Sequence, residues 1–519
     1  MNVVRLLEAQ AELRGNQIAL HHGKDYVSFH DLNEQSRQGS TLLKSLGFSP
    51  GDVLLVFVPM SIDLYSILLS LWRLGMTAMF VDPSASAEKM AACCNRAKPK
   101  GMIGTPTAQL LRLKTPALRR LSPVLTTGWL PLFTCWSEKT KHAPTGTMVD
   151  CPPETPALIT FTSGTTGQPK GTVRTHGFLL AQKEVLEKTL QLQPGKTDLA
   201  TLPIFALINL ACGVTTVIPG TSLKRPAMVA TRPILADCTR LRPATSVASP
   251  AFFARLLADP QHEALRCLEA LYTGGAPVFP GLLRKLMTAL PETRVVAIYG
   301  STEAEPIAEL CASDISKDDY ERMAEGEGLL AGNVVEDIDC CVIENGWGKE
   351  LGQLSEAAFS ALKRPTGAVG EIVVHGVHVL TGYLDGVGDA ENKFSVVGQI
   401  WHRTGDLGAF DAQGRLWLLG RCSAAIHDSH GPAYPFAIET AARQFTEIIA
   451  AAFCQIDQER VLVIETKLDQ ATASTLLAPL SRQFHLDRLI IAPVPMDGRH
   501  NAKVNYPELI KRLGSTLTS

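Results

Sequence analysis

The sequence predicts an α/β fold in which layered sheets and helices form a large N-terminal domain and a small, mobile α+β domain follows. Short apolar runs typical of buried strands alternate with helical patterns through most of the chain. At 519 residues the chain is also too long for one ordinary hydrophobic core, which favours two or more domains. The strand-like runs include residues 53–58, 78–81, 158–162, 295–299 and 371–374, and the helical patterns include 62–74 and 282–290.

The domain boundary is expected near residues 420–424. The run 416–421 has the pattern of a strand that ends in a Gly-Arg pair, and a looser polar segment follows it. The prediction is therefore a large domain over residues 1–420 and a small domain over 421–519, which is long enough for an α+β fold. Residues 114–153 are rich in proline and threonine and are predicted to form an irregular connection.

Composition and charge narrow the class of protein. Hydrophobic residues make up 45% of the chain and charged residues 19%, which is typical of globular proteins, and the net charge of −2 gives no general attraction to nucleic acid or an anionic membrane. The 12 cysteines show no zinc-type spacing, which indicates a reduced, cytoplasmic protein. No signal peptide is recognised, and Asp63 and Arg73 interrupt the most apolar stretch. Peripheral membrane association through a lipid substrate stays open.

Residues 160–171 carry a candidate phosphate-binding loop, directly after an apolar strand-like run. Glycines let backbone N–H groups approach a polyphosphate, hydroxyl side chains add donors and a lysine adds a positive charge. The spacing differs from the common Walker loop of NTPases. A polar surface loop is the alternative. The residues expected to bind nucleotide here are Thr162, Ser163, Gly164, Thr165, Thr166, Gly167 and Lys170.

A second candidate site, Tyr299 to Glu303, follows a strand-like run, where α/β folds commonly bind ligands. The Tyr299 ring suits stacking on a base, Thr302 suits a phosphate oxygen, and Glu303 suits a hard cation such as Mg²⁺. Gly300 and Ser301 complete the segment. The alternative is a helix N-cap at Ser301 or Thr302.

A third motif runs from Trp401 to Leu407 and continues to Arg421. The Asp406 carboxylate accepts hydrogen bonds only, which suits two ribose hydroxyls, and the Arg421 guanidinium is a fixed positive charge. Between them, residues 411–414 read as a hairpin turn. The alternative for Asp406 is a turn aspartate that bonds to its own backbone.

These motifs, with a fourth around Lys503, resemble in type and order those of the adenylate-forming ligases over essentially the whole chain. This superfamily comprises AMP-forming acyl-CoA synthetases, luciferases and peptide-synthetase adenylation domains. The resemblance implies that ATP is bound with its ribose at Asp406, near Arg421. It also implies an adenine-side loop formed by Gly274, Gly275, Ala276 and Pro277.

The resemblance further implies the chemistry. A carboxylate attacks the α-phosphate of ATP, which gives an acyl-adenylate and releases pyrophosphate. The protein must hold two anions together, and Mg²⁺ at Glu303, a cationic Lys503 and the phosphate loop suit that task. Thr302, Glu303 and Lys503 are therefore the expected catalytic residues. The match at Lys503 is looser, because Ala502 stands where the family usually has glycine.

Within the superfamily the chain looks more like the fatty-acyl branch, particularly the β-lactone synthetases of long-chain olefin biosynthesis. Segments 80–83, 103–106, 202–207, 249–251, 299–306 and 499–503 carry this likeness. The acyl pocket is expected at Phe205, Leu207, Ile208 and Ser249, where the apolar side chains favour an alkyl chain over an amino acid. The alternative is that these residues belong to the core.

The second half-reaction stays open between two nucleophiles, CoA and the substrate's own β-hydroxyl. The segment after Arg421 has Ala424 and His427 where acyl-CoA ligases usually carry an acid and a lysine, and Phe205 stands where many carry a histidine. These departures put the use of CoA in doubt and favour β-lactone formation slightly over a fatty acyl-CoA ligase. A non-catalytic nucleotide-binding relative and a phosphotransferase are remoter alternatives. The expected partners are ATP and a small fatty or β-hydroxy acid, not nucleic acid.

Overall fold

The computed structural model describes residues 1–162, 169–497 and 503–517. The chain divides into two compact units. Unit 1 consists of Met1–Gly220, Thr302–Glu305 and Val377–Lys393, and unit 2 of Thr221–Ser301, Pro306–Gly376 and Phe394–Ser519. The domain boundary expected near residue 420 stays a prediction.

The strands and helices are numbered here in chain order. The strands are β1 (Ile18–His22), β2 (Asp25–Ser28), β3 (Val53–Phe57), β4 (Thr77–Phe80), β5 (Gly101–Gly104), β6 (Val124–Thr126), β7 (Thr134–Cys135), β8 (Pro156–Thr162), β9 (Lys170–Thr175), β10 (Thr197–Ala200), β11 (Thr215–Ile218), β12 (Thr245–Ala248), β13 (Ala270–Gly274), β14 (Arg294–Ser301), β15 (Ala304–Cys311), β16 (Leu329–Val334), β17 (Ile338–Ile343), β18 (Gln353–Leu354), β19 (Gly370–Gly376), β20 (Lys393–Val396), β21 (Gln399–Phe410), β22 (Leu416–Arg421), β23 (Ile426–Asp428), β24 (Gly431–Ala433), β25 (Ile448–Ile456), β26 (Glu459–Thr466) and β27 (Arg488–Ile491). The α-helices are α1 (Val4–Arg14), α2 (Phe29–Ser45), α3 (Ile62–Arg73), α4 (Ala87–Ala97), α5 (Leu111–Lys114), α6 (Pro116–Arg119), α7 (Trp136–Lys141), α8 (His176–Thr189), α9 (Pro203–Cys212), α10 (Thr231–Leu241), α11 (Pro250–Leu257), α12 (Pro280–Ala289), α13 (Lys317–Ala324), α14 (Glu356–Leu362), α15 (Asp389–Asn392), α16 (Pro435–Ala442), α17 (Gln470–Leu476), α18 (Ala478–Gln483) and α19 (Tyr506–Leu517).

Unit 1 contains a mostly parallel sheet in the order β7-β6-β5-β3-β4-β8-β9, in which β9 runs antiparallel to β8. Ser28, Ser61 and Ser86 cap the N-termini of helices α2, α3 and α4, and their hydroxyls each accept a backbone N–H of the first turn. A second set of strands has the order β10-β11-β1-β2, with β1 and β10 both parallel to β11. Ligands of such sheets bind at the carboxyl ends of the strands, and the candidate phosphate loop follows the carboxyl end of β8.

Unit 2 contains strands in the order β17-β19-β21-β22-β16-β15-β14-β13-β12. Strands β12, β13 and β14 are parallel, whereas β16, β22, β21, β19 and β17 pair antiparallel. A separate sheet, β25-β26-β27, is buried on both faces, since Leu462 and Ile464 belong to one apolar cluster and Val461 and Val463 to another. That alternation is the period of two expected of a strand.

The α/β prediction is confirmed, and each strand-like or helical run named above overlaps an observed strand or helix. The expectation of an irregular connection over residues 114–153 is wrong, because α6, β6, β7 and α7 lie within it. These elements have two to six residues each, too few to show a periodic pattern. Within the described ranges, each helix is too short or too polar to cross a bilayer.

Candidate active site

The turn at Thr302 and Glu303 is held in place by two other segments of unit 1. Strand β14 ends at Ser301 and β15 begins at Ala304, so these two residues form a tight turn and not the helix N-cap that was the alternative. Arg174 Nη2 donates to the Thr302 carbonyl at 2.9 Å, and the Leu380 backbone N–H donates to the Glu303 carbonyl at 2.8 Å. The backbone that carries the candidate metal ligand is therefore anchored by two separate segments.

The Glu303 carboxylate is oriented by a tyrosine. Tyr383 Oη donates to Glu303 Oε1 at 2.9 Å. The Tyr383 backbone is itself held by an isolated β-bridge to Thr172 and by donation of its N–H to Asp389 Oδ1 at 2.8 Å. A carboxylate with one oxygen engaged in this way has a fixed direction, which suits a ligand of a cation that tolerates little distortion of its geometry.

Two lysines lie against the Tyr383 ring. Lys170 Nζ is 5.8 Å and Lys393 Nζ is 5.6 Å from the ring centroid, and both lysines are buried. Lys393 Nζ also donates to the Leu380 carbonyl. Burial lowers the pKa of Lys393 to about 8, while Glu303 and Asp389 oppose that shift. Positive charge thus accumulates beside the Glu303 turn, which favours anionic ligands.

The glycine at position 388 allows the close approach of Lys170. Gly388 has a φ of +104°, and a Cβ there would lie 2.9 Å from the Lys170 Cδ and Cε atoms. Any other residue would therefore be strained and would displace the lysine. The segment 377–393 consequently shapes both the lysine and the carboxylate of the candidate site.

The residues present fit a magnesium ion of the kind that adenylate-forming ligases typically use. In the part of the chain that the structure describes, no cluster of three or more His, Cys, Asp or Glu side chains forms a protein cage. Mg²⁺ commonly takes one or two carboxylates and completes its shell with substrate phosphates and water. A single anchored carboxylate at Glu303 matches that donor set.

The candidate phosphate loop is described only at its flanks. Ser163, Gly164, Thr165, Thr166 and Gly167 lie outside the described residues, so their proposed roles stay predictions. Thr162 closes β8, and Lys170 opens β9 as its register partner.

In unit 2, Asp406 accepts hydrogen bonds on both carboxylate oxygens. Tyr299 Oη donates to Oδ2 at 2.9 Å, and Arg421 Nη1 donates to Oδ1 at 2.8 Å. Asp406 and Arg421 are directly opposite partners of β21 and β22. Burial and the nearby Asp406 charge hold the pKa of Tyr299 well above its usual value, so Tyr299 acts as a donor. Each carboxylate oxygen keeps a second lone pair, which leaves capacity for ribose hydroxyls.

The strand that carries Asp406 is supported by a buried ion pair that the sequence reasoning missed. Arg403 Nη2 lies 2.5 Å from Glu371 Oε2, and both side chains are fully buried. Burial raises the pKa of Glu371, and Arg403 opposes that shift. Trp347 covers the pair, with the Arg403 guanidinium 5.5 Å from its ring centroid.

The remaining nucleotide-side residues also belong to unit 2. Gly274 ends β13 opposite Ile298 of β14, and the segment of Gly275, Ala276 and Pro277 follows it as a loop. Gly300 lies within β14. The adenine-side role of these residues stays a prediction.

Lys503 is exposed and lies in a short bridged segment near the C-terminus. Its backbone N–H donates to Asp497 Oδ1 at 3.1 Å, and its carbonyl accepts from the Asp497 N–H at 2.7 Å. An isolated β-bridge joins Met496 to Val504. Among the described residues of unit 2, no hydrogen bond or ion pair links Lys503 to Asp406, so its catalytic role stays a prediction.

The residues proposed for the acyl pocket lie in one helix of unit 1 and at the N-cap of one helix of unit 2. In unit 1, Phe205 is buried in α9, whereas Leu207 and Ile208 line a small apolar cavity together with Leu7 of α1 and Trp72 of α3. In unit 2, the Ser249 hydroxyl accepts the Phe252 N–H at 3.4 Å and caps α11. The proposal that these four residues bind the acyl chain therefore stays a prediction.

The sequence reasoning also missed Tyr383, Lys393 and Arg174, because none of them belongs to a motif that suggests chemistry. A signal was present at Tyr383, since Gly382, Gly386 and Gly388 surround it. Glycines clustered around one aromatic residue indicate a backbone shaped for close approach. No comparable signal marks Lys393.

Known proteins resemble this chain in sequence and in fold. A sequence model described as AMP-binding enzyme matches residues 7–384. The chain is 28% identical to an olefin beta-lactone synthetase of Xanthomonas campestris pv. campestris and 29% identical to one of Stenotrophomonas maltophilia, in both cases over 93% of this chain and 90% of the relative. The structure of ATP-bound MatB from Rhodopseudomonas palustris matches with a TM-score of 0.81 and 19% identity, over 99% of each chain.

The resemblance to the adenylate-forming ligases is thereby confirmed. The family match spans well over half of the chain, and the similarity of fold extends over nearly all of it. The chain belongs to the AMP-binding enzyme family and is an ATP-dependent, AMP-forming acid ligase.

Proposed function

We propose that the protein activates a β-hydroxy fatty acid as its acyl-adenylate and then closes a β-lactone. The observation that carries the lactone step is the similarity to two olefin beta-lactone synthetases over 93% of the chain. The apolar side chains of α9, including Phe205 and Ile208, add support for an alkyl substrate. The departures Ala424 and His427 from the acyl-CoA ligase pattern weigh against CoA as the acceptor.

In the first step an oxygen of the substrate carboxylate attacks the α-phosphorus of ATP, and the bond to pyrophosphate breaks. We assign Mg²⁺ to Glu303, where it would offset the charge of the phosphates. Asp406, supported by Tyr299 and Arg421, would hold the ribose. Lys503 would contact the carboxylate and the α-phosphate.

In the second step the β-hydroxyl oxygen attacks the acyl carbon, AMP leaves with the bonding electron pair, and the hydroxyl proton is lost. The protein contributes chiefly by positioning, because the nucleophile and the electrophile belong to one molecule. A fatty acyl-CoA ligase would carry out the same first step and differ only in the nucleophile.

The test is pyrophosphate release with purified protein, ATP and Mg²⁺. A plain fatty acid is compared with its β-hydroxy analogue, each with and without CoA, and products are identified by mass. Turnover of the β-hydroxy acid without CoA, to a product lighter than the acid by one water, supports the proposal. Turnover that requires CoA would establish an acyl-CoA ligase instead. The Lys503→Ala variant serves as the control, with adenylation reduced by orders of magnitude.

A further inference from the structure

Two segments of unit 1 leave the same edge of the parallel sheet. Strands β5 and β6 are parallel neighbours, so residues 105–114 and 127–133 both follow carboxyl ends. The Thr127 N–H donates to the Gly104 carbonyl at 3.1 Å, and the Arg112 guanidinium lies 5.8 Å from the Phe133 ring centroid. The two segments therefore pack together as one surface.

This surface exposes four large apolar side chains, here named the apolar edge. Their exposed fractions are 60% for Leu110, 68% for Leu113, 76% for Trp129 and 104% for Leu132. Leu132 is also held at a φ of +68°, a left-handed conformation that is unfavourable for leucine. Leu132 therefore combines a strained backbone with a fully exposed apolar side chain, and it contributes nothing to the hydrophobic core. Contiguous exposed apolar residues of this kind commonly mark an interaction surface.

The stretch of sequence that contains this surface is basic, although the whole chain carries a net charge of −2. No aspartate or glutamate occurs in the sequence from residue 89 to residue 137. Lys114 and Arg119 are exposed beside the apolar edge, and Arg120 is exposed next to Arg119 in the sequence. Within the described part of the chain none of these three forms an ion pair. The lysines and arginines of this stretch are Lys89, Arg96, Lys98, Lys100, Arg112, Lys114, Arg119 and Arg120. Two of them are paired with acids from elsewhere in unit 1, Arg96 with Asp385 and Lys100 with Asp52.

We propose that the apolar edge and its basic residues dock unit 1 onto an anionic lipid bilayer. Tryptophan and leucine insert at the level of the lipid headgroups, and lysine and arginine are attracted to anionic headgroups. A bilayer matches both features at once. A purely acidic protein surface would match the charge but would leave the leucines and Trp129 exposed.

The position of the apolar edge in the sheet suggests how docking could assist catalysis. It lies at the carboxyl edge of the sheet, and β8, the strand that precedes the candidate phosphate loop in the sequence, ends at the same edge. Strands β4 and β3 separate β8 from β5, so β8 and β5 are about 14 Å apart across the sheet. A bilayer docked at the apolar edge would present amphiphilic carboxylic acids close to the activation site. Docking itself does not depend on which acid is the substrate.

The test is co-sedimentation of the full chain with lipid vesicles, in the absence of ATP. One vesicle preparation is phosphatidylcholine alone, and the other is an equal mixture of phosphatidylcholine and phosphatidylglycerol. The first variant, Trp129→Gln/Leu132→Asn, removes apolar contact and places asparagine at the left-handed position, which it tolerates. The second, Lys114→Glu/Arg120→Glu, reverses charge at exposed positions. Lys467→Glu/Arg482→Glu is the matched control, because both residues are exposed in unit 2.

We expect the wild-type chain to bind the mixed vesicles and the control to bind equally well. The apolar variant Trp129→Gln/Leu132→Asn and the charge variant Lys114→Glu/Arg120→Glu should each bind at least roughly tenfold more weakly. Absence of wild-type binding, or binding unchanged in both variants, would overturn the proposal. So would self-association in sedimentation velocity that is lost in the same variants, because the occupant would then be a second copy.

Two readouts separate docking from folding and catalysis. The thermal unfolding midpoint and pyrophosphate release with a short, water-soluble acid should match the wild type in every variant. Loss of vesicle binding with both readouts intact supports a docking role. Vesicle binding that persists in a protein without lactone-forming activity would count against the proposed function alone.

Discussion

The Tyr383 hydroxyl donates to Glu303 Oε1 at 2.9 Å, and the Tyr383 ring lies against the ammonium groups of Lys170 and Lys393. One side chain therefore links the candidate metal ligand to both buried lysines of unit 1. The hydroxyl orients the carboxylate, while the ring face offers the lysines a favourable quadrupole. We infer that the segment around Tyr383 supports the proposed activation site, although it carries no residue that reacts.

Replacement of Tyr383 by phenylalanine should weaken the hold on magnesium without disrupting the fold. The ring and its contacts with both lysines stay, and the hydrogen bond to Glu303 is lost. Loss of such an orienting contact typically lowers metal affinity by about 10- to 100-fold. Pyrophosphate release should fall at low Mg²⁺ and recover as Mg²⁺ is raised. An unaltered magnesium dependence would show that Tyr383 does not orient the ligand.

Lys393 should make the stability of the protein depend on alkaline pH. Burial lowers its pKa from 10.5 to about 8 in the folded chain. Below pH 8 Lys393 is protonated in both the folded and the unfolded chain, so burial of its charge lowers the stability of the fold in full. Between about pH 8 and 10.5 only the unfolded chain keeps the proton, so stability rises with pH. The gain is on the order of 3 kcal/mol.

The measurement compares the free energy of unfolding of the wild type with that of Lys393→Met, from urea unfolding across this pH range. Other groups titrate in the same window, but they do so in both proteins and cancel in the difference. The wild type should gain stability relative to the variant as pH rises. A difference that is flat with pH would mean that Lys393 is not buried as a cation.

The sequence predicts the residues of this site that lie in local motifs, but not those that act through contacts with other side chains. Asp406 and Arg421 were paired by motif, and β-sheet register does bring them together. The sequence singles out Glu303 but leaves a helix start open as the alternative for its segment, because hydroxyl and acidic residues suit both a ligand-binding turn and a helix N-cap. Tyr383 and Arg403 act through other side chains across long sequence separations. Only the tertiary fold creates such contacts, so local patterns do not reveal them.

Gly405 should be intolerant of alanine because of crowding as well as backbone conformation. Its φ is +69°, and a Cβ there would lie 2.8 Å from the Trp347 ring and 3.0 Å from Arg421 Nη2. Gly405→Ala should therefore displace Arg421 from Asp406 and raise the KM for ATP. The matched control is Gly414→Ala, since Gly414 has a φ of +78° but nothing within 4 Å of its added Cβ.

Both alanine variants should lose about 1–2 kcal/mol of stability from the left-handed conformation. Only Gly405→Ala should lose more than that and change the KM for ATP. The measurements are thermal unfolding midpoints and ATP-dependent pyrophosphate release. Equal effects of the two variants on the KM would exclude crowding of Arg421 as the cause.

The buried pair of Arg403 and Glu371 should be costly to break on one side only. In Arg403→Met the Glu371 carboxylate stays fully buried and loses its partner. Such a change typically costs about 3–5 kcal/mol, whereas replacing both partners by apolar residues is often nearly neutral. The double variant Arg403→Met/Glu371→Leu should therefore be more stable than the single one. Arg488→Met is the control, because its pair with Glu459 is partly exposed and should contribute at most about 1 kcal/mol.

The pH dependence of Arg403→Met adds an independent check of the buried charge. Burial raises the pKa of Glu371 even with Arg403 present, and loss of the arginine should raise it further. When the pH falls below the folded pKa, the folded chain protonates Glu371 and no longer bears a buried charge, so the deficit of the variant should shrink. Urea unfolding of the single and double variants at neutral and mildly acidic pH measures this. A deficit that is constant with pH would mean that loss of Arg403 does not raise the pKa of Glu371, and therefore that the variant does not hold an unpaired buried carboxylate.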